Sequence, residues 1–569
     1  MKKFNKKKIG IIAGVILVAL FVVAFFPFVL PWSYSETATS PENAKPDFNL
    51  SSMFLKYNFG DGENAYTDMS VIGTRSFKLK NYKVANMYFG LPVTSIAPNA
   101  FADNTTLESI TLPENLKYIS DNAFGGCTSL ETVSLPKTLI TISDTAFENC
   151  TALKYNEYEN ALYLGNDENP YLALISVIDT KISSSTIHSD ARVIADKAFA
   201  ECNNLQSITF EGAVVPVYAY GDIAALRSVT IKGNATEIPS GAFKDCMFLR
   251  EVVLPDTVKT IANSAFAGCN QLKNINIPTS LESIGNSAFS KCKSIESFDL
   301  PNTLTSIGNS AFNQCTVLQE IEIPDSVKSM GDGVFNGCTV LQRVKLPSNI
   351  TSISKDTFSG CMMLKDVEIP ATVTVIGNSA FSTCISLESI VLPSSVKTIN
   401  TSAFSQCSSL VSIDIPDSVT TIGDYAFDGC SALENVRLSK NVTKLGSAPF
   451  YGCESLANIE IDENNPNYKS IDGHIYSKDG KTFIQYANGK GSEPFYIPST
   501  VTTIGDSAFR DCKSLTNVII PASVETIRGF AFFGCSTDLG IYCEVIKQPS
   551  GWEKSWNYSK IDVYWGFEK

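Results

Sequence analysis

Hydrophobic and polar positions follow one pattern many times along this chain, and the copy at 317–339 reads VLQEIEIPDSVKSMGDGVFNGCT. In its first half, Ile321 and Ile323 alternate with glutamates and are followed by Pro324. Alternation puts every second side chain on one face, and proline cannot donate a ladder hydrogen bond. This half therefore predicts a short strand that ends at the proline.

The second half of the pattern is clearest at 284–292, which reads IGNSAFSKC. Either Asn286 or Ser287 suits the cap of one helical turn. Such a turn would direct Ala288, Phe289 and Cys292 inwards. We therefore expect each copy to consist of a strand followed by a short helical turn.

Cysteine marks the period, because it recurs every 23 residues ten times in succession, at 246, 269, 292, 315, 338, 361, 384, 407, 430 and 453. The Ala-Phe element before it occurs in about sixteen copies, from Phe101 to Phe532. A period of this length indicates one supersecondary unit that buries its apolar face against the next copy. The predicted fold class is an α/β solenoid of short parallel strands and short helical turns.

The pattern L-x-x-I-x-I-P-x-x-V-x-x-I-G-x-x-A-F-x-x-C resembles the BspA-like leucine-rich repeats, also called the Treponema pallidum type. The resemblance extends over roughly residues 91–535 and involves about eight positions in each copy. It implies a bacterial cell-surface protein of a family in which some members adhere to host or matrix proteins. Val334, Thr357 and Pro449 replace the usual alanine and Met330 the usual isoleucine, and all are small or apolar enough for these positions.

The cysteines are interpreted as buried filler. One thiol per copy forms a line along the solenoid, whereas a zinc site needs four ligands that converge on one point. The first copy has Asn104 in the cysteine position, and asparagine replaces a buried hydrogen-bond donor but neither a disulfide partner nor a thiolate ligand. Cys543, outside the pattern, is expected to be another buried thiol. No metal and no cofactor are predicted.

The N-terminus predicts a membrane anchor. Residues 1–8 contain five lysines and form the expected cytoplasmic tail, while residues 9–30 carry no charge and are long enough to cross a bilayer as a helix. The expected protein is a single-pass membrane protein with its repeats outside the cell. The alternative is secretion after cleavage of a signal peptide.

Residues 31–68 read as a flexible tether, with a short strand near 54–59, and residues 69–535 as the solenoid. The 23-residue period is broken by two islands, 154–190 and 462–497. Each contains a predicted hairpin, one at 161–177 and one at 471–487, where Asp479-Gly480 suits a type I′ turn. Between Cys202 and Cys246 we expect two copies with a shortened second half. The islands serve either as binding loops or as additional rungs.

Residues 536–569 contain three of the four tryptophans, Trp552, Trp556 and Trp565. They are expected to form an aromatic cap over the last repeat, with a last strand at 561–566. The alternative is a platform on which sugar rings stack.

Nucleic acid is not expected as a partner, because the chain carries a net charge of −13 and nucleic-acid binding requires a basic face. A recognition surface is expected on the strand face that points away from the core. Its candidate residues are Asp299, Glu320, Glu322, Arg343, Lys345, Asp366, Glu368, Asp414, Arg437 and Glu460. The alternative is cross-strand charge pairing, which only keeps the strands in register.

These features predict an adhesion protein that binds an extracellular protein through this face. The chain has only two histidines, His188 and His474, and lacks the common metalloprotease and nucleotide-binding motifs, so no enzyme is predicted. The alternatives are a surface enzyme or glycan-processing accessory that uses the islands, and a passive spacer.

Overall fold

The computed structural model describes residues 53–58, 68–74, 80–84, 86–88, 91–216 and 220–568. The predicted cytoplasmic tail and the predicted anchor at 9–30 lie outside these residues. Within the described residues, no helix is long and apolar enough to cross a membrane. The chain divides into two compact units, Met1–Ala219 and Tyr220–Lys569, and each is described by itself.

Each repeat forms one coil, and most coils contain two short strands. In the copy at 317–339, a front strand, Glu320–Glu322, follows the leucine, and a back strand, Ser329–Met330, comes after the proline. Both pair in parallel with the equivalent strands of neighbouring coils, so that Glu320 lies opposite Arg343 and Ser329 opposite Ser306. The front strand confirms the strand predicted from sequence. The back strand was not predicted.

The front strands of the first unit are Asn81–Lys83, Ser109–Thr111, Thr132–Ser134, Ser184–Ile187 and Ser207–Phe210. Those of the second unit are Ser228–Ile231, Glu251–Val253, Asn274–Ile275, Glu320–Glu322, Arg343–Lys345, Asp366–Val367, Ser389–Val391, Ser412–Asp414, Asn435–Leu438, Asn458–Ile461, Phe495–Tyr496, Asn517–Ile520, Gly540–Cys543 and Val563–Trp565. The strands Ser207–Phe210 and Ser228–Ile231 confirm the two shortened copies expected before Cys246.

The back strands of the first unit are Met53–Asn58, Asp68–Thr74, Leu91–Ile96, Tyr118–Ile119, Thr141–Ile142 and Val193–Ile194, with Met87–Tyr88 paired beside Leu91–Ile96. Those of the second are Glu237–Ile238, Thr260–Ile261, Ser283–Ile284, Ser306–Ile307, Ser329–Met330, Ser352–Ile353, Val375–Ile376, Thr398–Ile399, Thr421–Ile422, Lys444–Leu445, Thr503–Ile504, Thr526–Ile527 and Gly551–Trp552. Met53–Asn58 agrees with the strand expected near 54–59, inside the predicted tether.

The predicted helical turn is wrong, because the second half of the coil is a chain of tight turns. The N–H groups of Ala288, Ser290 and Cys292 donate to the carbonyls three residues back. The N–H groups between them, those of Ser287, Phe289 and Lys291, donate instead to Asn309, Ala311 and Asn313 of the next coil, at 2.8, 2.8 and 2.7 Å. Among the described residues the only helices are two short 3₁₀ turns, Tyr220–Asp222 and Asn488–Lys490.

The backbone conformation explains why no helix forms. Ser287 and Lys291 have φ values of 54° and 64°, in the left-handed region that interrupts a right-handed helix. The expected cap residue also acts between coils, because Asn286 Oδ1 accepts the N–H of Asn309 at 2.7 Å. Asn263 and Asn309 accept the equivalent N–H groups of Asn286 and Asp332 in the same way.

The core of each coil contains the phenylalanine of the Ala-Phe element. In the second unit, the rings from Phe243 to Phe450 stack coil upon coil with centroids 5.2–5.8 Å apart. In the first unit, Phe101, Phe124 and Phe147 stack in the same way. Each buried ring contributes about 1.5–3 kcal/mol, so this stack is a main source of stability.

Both islands are additional rungs of the back ladder. The first is a meander of Asn156–Tyr158, Ala161–Leu164 and Ala173–Val177, and its last strand pairs in parallel with Val193–Ile194. The second is a meander of Tyr468–Ile471, His474–Ser477 and Thr482–Gln485, and its last strand pairs with Thr503–Ile504. Both predicted hairpins are confirmed.

The type I′ turn predicted at Asp479-Gly480 in the second island is wrong, because this geometry occurs one loop earlier. Of the turn residues Asp479 and Gly480, only Gly480 has a positive φ, of 77°, whereas a type I′ turn requires two. The preceding loop has that geometry, since Asp472 and Gly473 have φ values of 50° and 78° between the paired residues Ile471 and His474.

The C-terminal segment packs two of its tryptophans into the core of the second unit. Trp552 and Trp556 are buried with their ring centroids 4.8 Å apart, and Trp556 packs edge-on against Phe532. The last strand, Val563–Trp565, pairs with Gly540–Cys543. Tyr564 and Trp565 keep an exposed part.

Candidate protein-binding face

The front strands expose one side to solvent because their side chains alternate. In Glu320–Glu322 and in Arg343–Lys345 the outer residues are exposed and the central residue is buried. The outward side chains of successive coils therefore form two parallel columns. We call this surface of the second unit the front face.

All ten predicted residues are exposed on the front face. The first column contains Glu320, Arg343 and Asp366, which lie opposite one another in successive strands. The second column contains Asp299, Glu322, Lys345, Glu368, Asp414, Arg437 and Glu460. Asp299 is outside any strand, in a coil where Phe298 packs between the rings of Phe289 and Phe312.

The basic side chains of these columns are paired with acids. Lys345 Nζ contacts Glu322 Oε1, Arg343 Nε lies 3.5 Å from Asp366 Oδ2, and Arg437 lies 3.4 Å from Asp417. The hydrogen bond with Glu322 raises the pKa of Lys345. The cross-strand charge pairing considered as the alternative is therefore present. Exposed pairs of this kind contribute about 0.2–1 kcal/mol each.

Five acids of the front face have no such partner. Among the described residues, no basic side chain forms an ion pair with Asp299, Glu320, Glu368, Asp414 or Glu460. Since the bases are neutralised and these acids are not, the face keeps an excess of negative charge. It is a patterned acidic surface.

Val391, which was not among the predicted residues, belongs to the second column between Glu368 and Asp414. Val391 lies directly opposite Asp414, and 81% of its surface is exposed. The 23-residue spacing would have found it, since 391 is 23 residues after 368 and 23 before 414.

Further along the same column the chemistry becomes aromatic. Tyr496, Ile519, Tyr542 and Tyr564 lie opposite one another in successive front strands. The rings of Tyr542 and Tyr564 stack with centroids 4.8 Å apart. Ile519, which is buried, lies between this ring pair and Tyr496.

The cysteines have a structural role. From Cys269 to Cys453, each repeat cysteine donates its S–H to the carbonyl of the phenylalanine one coil earlier, as from Cys338 Sγ to Phe312 O at 3.1 Å. All sixteen cysteines are buried free thiols, including Cys543. Burial raises the pKa of Cys338 to about 12 and that of Cys543 to about 12, which disfavours the reactive thiolate.

The two histidines lie in the islands and pack against tyrosines. The ring of His188 stacks on Tyr171 at 4.0 Å, and that of His474 stacks on Tyr486 at 4.5 Å. His474 Nδ1 accepts the N–H of Ala487, and burial lowers the pKa of His474 to about 4. Within the described part of the chain, no three His, Cys, Asp or Glu side chains are placed to hold a metal ion.

The parallel coils and their repeated L-x-x-I-x-I segment define a leucine-rich-repeat protein. The family model for the BspA type leucine rich repeat region matches residues 68–167, 177–296, 236–365, 351–480 and 485–542. The chain belongs to this family, as its resemblance predicted. Repeat arrays of this family generally serve as protein-binding scaffolds rather than as enzymes.

Solved structures with similarity to this chain include bacterial leucine-rich-repeat proteins. One from Bacteroides ovatus is 28% identical over 73% of this chain and 100% of its own, with a TM-score of 0.43. A leucine rich cell surface protein from Faecalibacterium prausnitzii is 23% identical over 74% and 96%, with a TM-score of 0.28. The Treponema pallidum leucine rich repeat protein is 23% identical over 42% and 88%, with a TM-score of 0.18. A search of curated proteins finds no match.

Proposed function

We propose that this chain is a cell-surface adhesion protein that recognises an extracellular protein of a host or its matrix through the front face between Asp299 and Glu460. Residues 9–30 hold it in the membrane in this proposal, with the repeats outside the cell. Release by signal cleavage would leave the binding face unchanged.

The observation that carries the proposal is the change of chemistry along one regular surface. Coils with the same buried residues present acid at Glu322, base at Lys345, an apolar side chain at Val391 and acid at Asp414. An extended ligand that lies along the solenoid meets a different group at each rung. Charge pairing alone would not call for an exposed valine among these groups.

The test is capture of immobilised matrix proteins and mucins by the full chain. We expect the double reversal Arg343→Glu/Lys345→Glu to lower capture at least about tenfold, because like charges across an interface are strongly unfavourable. The matched control is Lys328→Glu/Lys397→Glu, which makes the same charge change at exposed lysines beside the back strands.

Loss of capture in both variants would point to net charge rather than to the front face. Unchanged capture in the front-face variant would contradict the proposal. Capture by neither the wild-type chain nor any variant would favour the passive spacer.

A further inference from the structure

One apolar side chain of the front face is much more exposed than a sheet position requires. Val391 is in the strand Ser389–Val391, and 81% of its surface is exposed. Val253 holds the equivalent position in Glu251–Val253 and is 42% exposed. Buried anchor side chains surrounded by polar groups carry much of the energy in protein interfaces, so an exposed valine inside a charged surface is a candidate anchor.

The neighbours of Val391 determine what would cover it. Asp414 lies directly opposite in the next strand, and Glu368 has the equivalent position in the preceding coil. Neighbouring strands are ~4.8 Å apart, which puts the two carboxylate-bearing positions ~10 Å from each other on either side of the valine. Glu388, also exposed, precedes the same strand.

Like Asp299, Glu320 and Glu460 on the same face, these acids form no ion pair with a described basic residue. Arg343, Lys345 and Arg437 are already paired with acids of their own neighbourhood. Lys365, in the coil before Val391, is exposed, and it forms no ion pair with any described residue. A ligand that supplies positive charge beside Val391 would therefore complete pairs that the chain itself leaves open.

On the basis of the function proposed above, we propose that Val391, with Glu368 and Asp414, is the anchor point for a cationic segment of the partner protein. Lysine and arginine fit this point because their aliphatic stems pack on an apolar side chain while their charged ends reach a carboxylate. The partner is thus a polypeptide in which basic residues alternate with apolar ones. An acidic or neutral segment would leave the carboxylates unpaired or repel them.

The experiment measures binding of fluorescein-labelled peptides to the full chain by fluorescence anisotropy. The probe alternates lysine and leucine with glycine spacers. One twin replaces lysine with glutamate, and a second replaces leucine with serine. We expect the probe to bind at least about fivefold more tightly than either twin, and its affinity to fall as salt rises from about 0.05 to about 0.5 M.

Variants locate the site. Val391→Thr keeps the branched shape and is expected to weaken probe binding about fivefold by replacing an apolar contact. Glu368→Gln/Asp414→Asn is expected to weaken it by a similar factor and to reduce its salt dependence. Val253→Thr is the matched control, since its neighbours Thr230 and Asn276 are uncharged, and it should leave binding unchanged.

Equal binding of the probe to wild type and Val391→Thr, or equal binding of the acidic twin, overturns the proposal. The function proposed above fails separately, when Arg343→Glu/Lys345→Glu captures matrix proteins as well as wild type does. If that capture depends on the front face while the cationic probe does not bind, only the assigned partner chemistry is wrong.

Discussion

The inward and outward positions of the same front strands differ in how much their residues vary from coil to coil. Inward, Ile321, Val344, Val367, Ile390 and Ile413 are all aliphatic and buried, and Phe298 and Phe495 are aromatic exceptions at this position. Outward, the neighbouring positions change from acid to base to valine. The inward side varies little because each residue packs against neighbouring coils, whereas the outward side contacts solvent. The fold therefore depends on the inward side, and the proposed recognition uses the outward side.

The largest loss of stability is expected when a buried ring on the inward side is removed. Phe335→Ala removes a side chain stacked between Phe312 and Phe358 and should lower the free energy of unfolding by about 3–5 kcal/mol. Urea denaturation of the second unit, followed by circular dichroism, measures this. A loss below about 1 kcal/mol would show that the stack is not a main source of stability.

The second prediction concerns the buried residue His474 and the dependence of stability on pH. The pKa of His474 is lowered from 6.5 to about 4 by burial, so the unfolded chain takes up a proton at a pH where the folded chain does not. The contribution of His474 to the free energy of unfolding is therefore fully present above pH 6.5. It decreases as the pH falls towards 4, by up to about 3 kcal/mol in total. Denaturation midpoints measured across this range should show the slope.

One substitution sharpens this prediction. His474→Gln should remove the slope between pH 6.5 and 4. The same slope in the variant and in the wild type would assign the pH dependence to other groups.

A smaller inward effect is expected at the cysteines. Cys338→Ala removes the hydrogen bond from Cys338 Sγ to Phe312 O and leaves a small cavity. It should lower the free energy of unfolding by about 1–2 kcal/mol. Native chains should also resist alkylation by iodoacetamide at pH 8, and all sixteen thiols should react once denaturant unfolds the chain. Rapid labelling of repeat cysteines in the native protein would contradict their burial.

The smallest effect belongs to the outward side. Arg343→Ala breaks one exposed ion pair and should change the unfolding free energy by less than about 1 kcal/mol. Comparison with Phe335→Ala in the same denaturation series checks the contrast directly. A loss as large as that of the phenylalanine variant would mean that the outward columns also hold the fold.

Local patterns in the sequence predicted one half of the coil and not the other. The front strand follows from alternation at Ile321 and Ile323, which is visible within a few residues. The spacing of Ala288, Phe289 and Cys292 fits both a helical turn and a chain of tight turns. The chain of tight turns forms because alternate N–H groups donate hydrogen bonds to carbonyl groups of the next coil. The N–H of Phe289, for example, donates to the carbonyl of Ala311, 22 residues later in the sequence. A back strand of two residues is too short to show a period.

The candidate face was predicted in position but not in all its chemistry. The columns of Glu320, Arg343 and Asp366 follow from strand alternation and the repeat length. That the bases are paired and several acids are not depends on side-chain geometry between coils, which one sequence does not contain. Val391 was within reach of the same spacing rule.

The most direct measurement uses a charge swap, Glu322→Lys/Lys345→Glu. The two residues lie opposite each other, so the swap keeps the ion pair and the net charge and inverts only the pattern. Denaturation midpoint and capture of matrix proteins are to be measured on the same preparation. The account predicts an unchanged midpoint and a loss of capture of about tenfold or more. Unchanged capture, or a loss that appears only together with a lowered midpoint, would contradict the assignment of recognition to the front face.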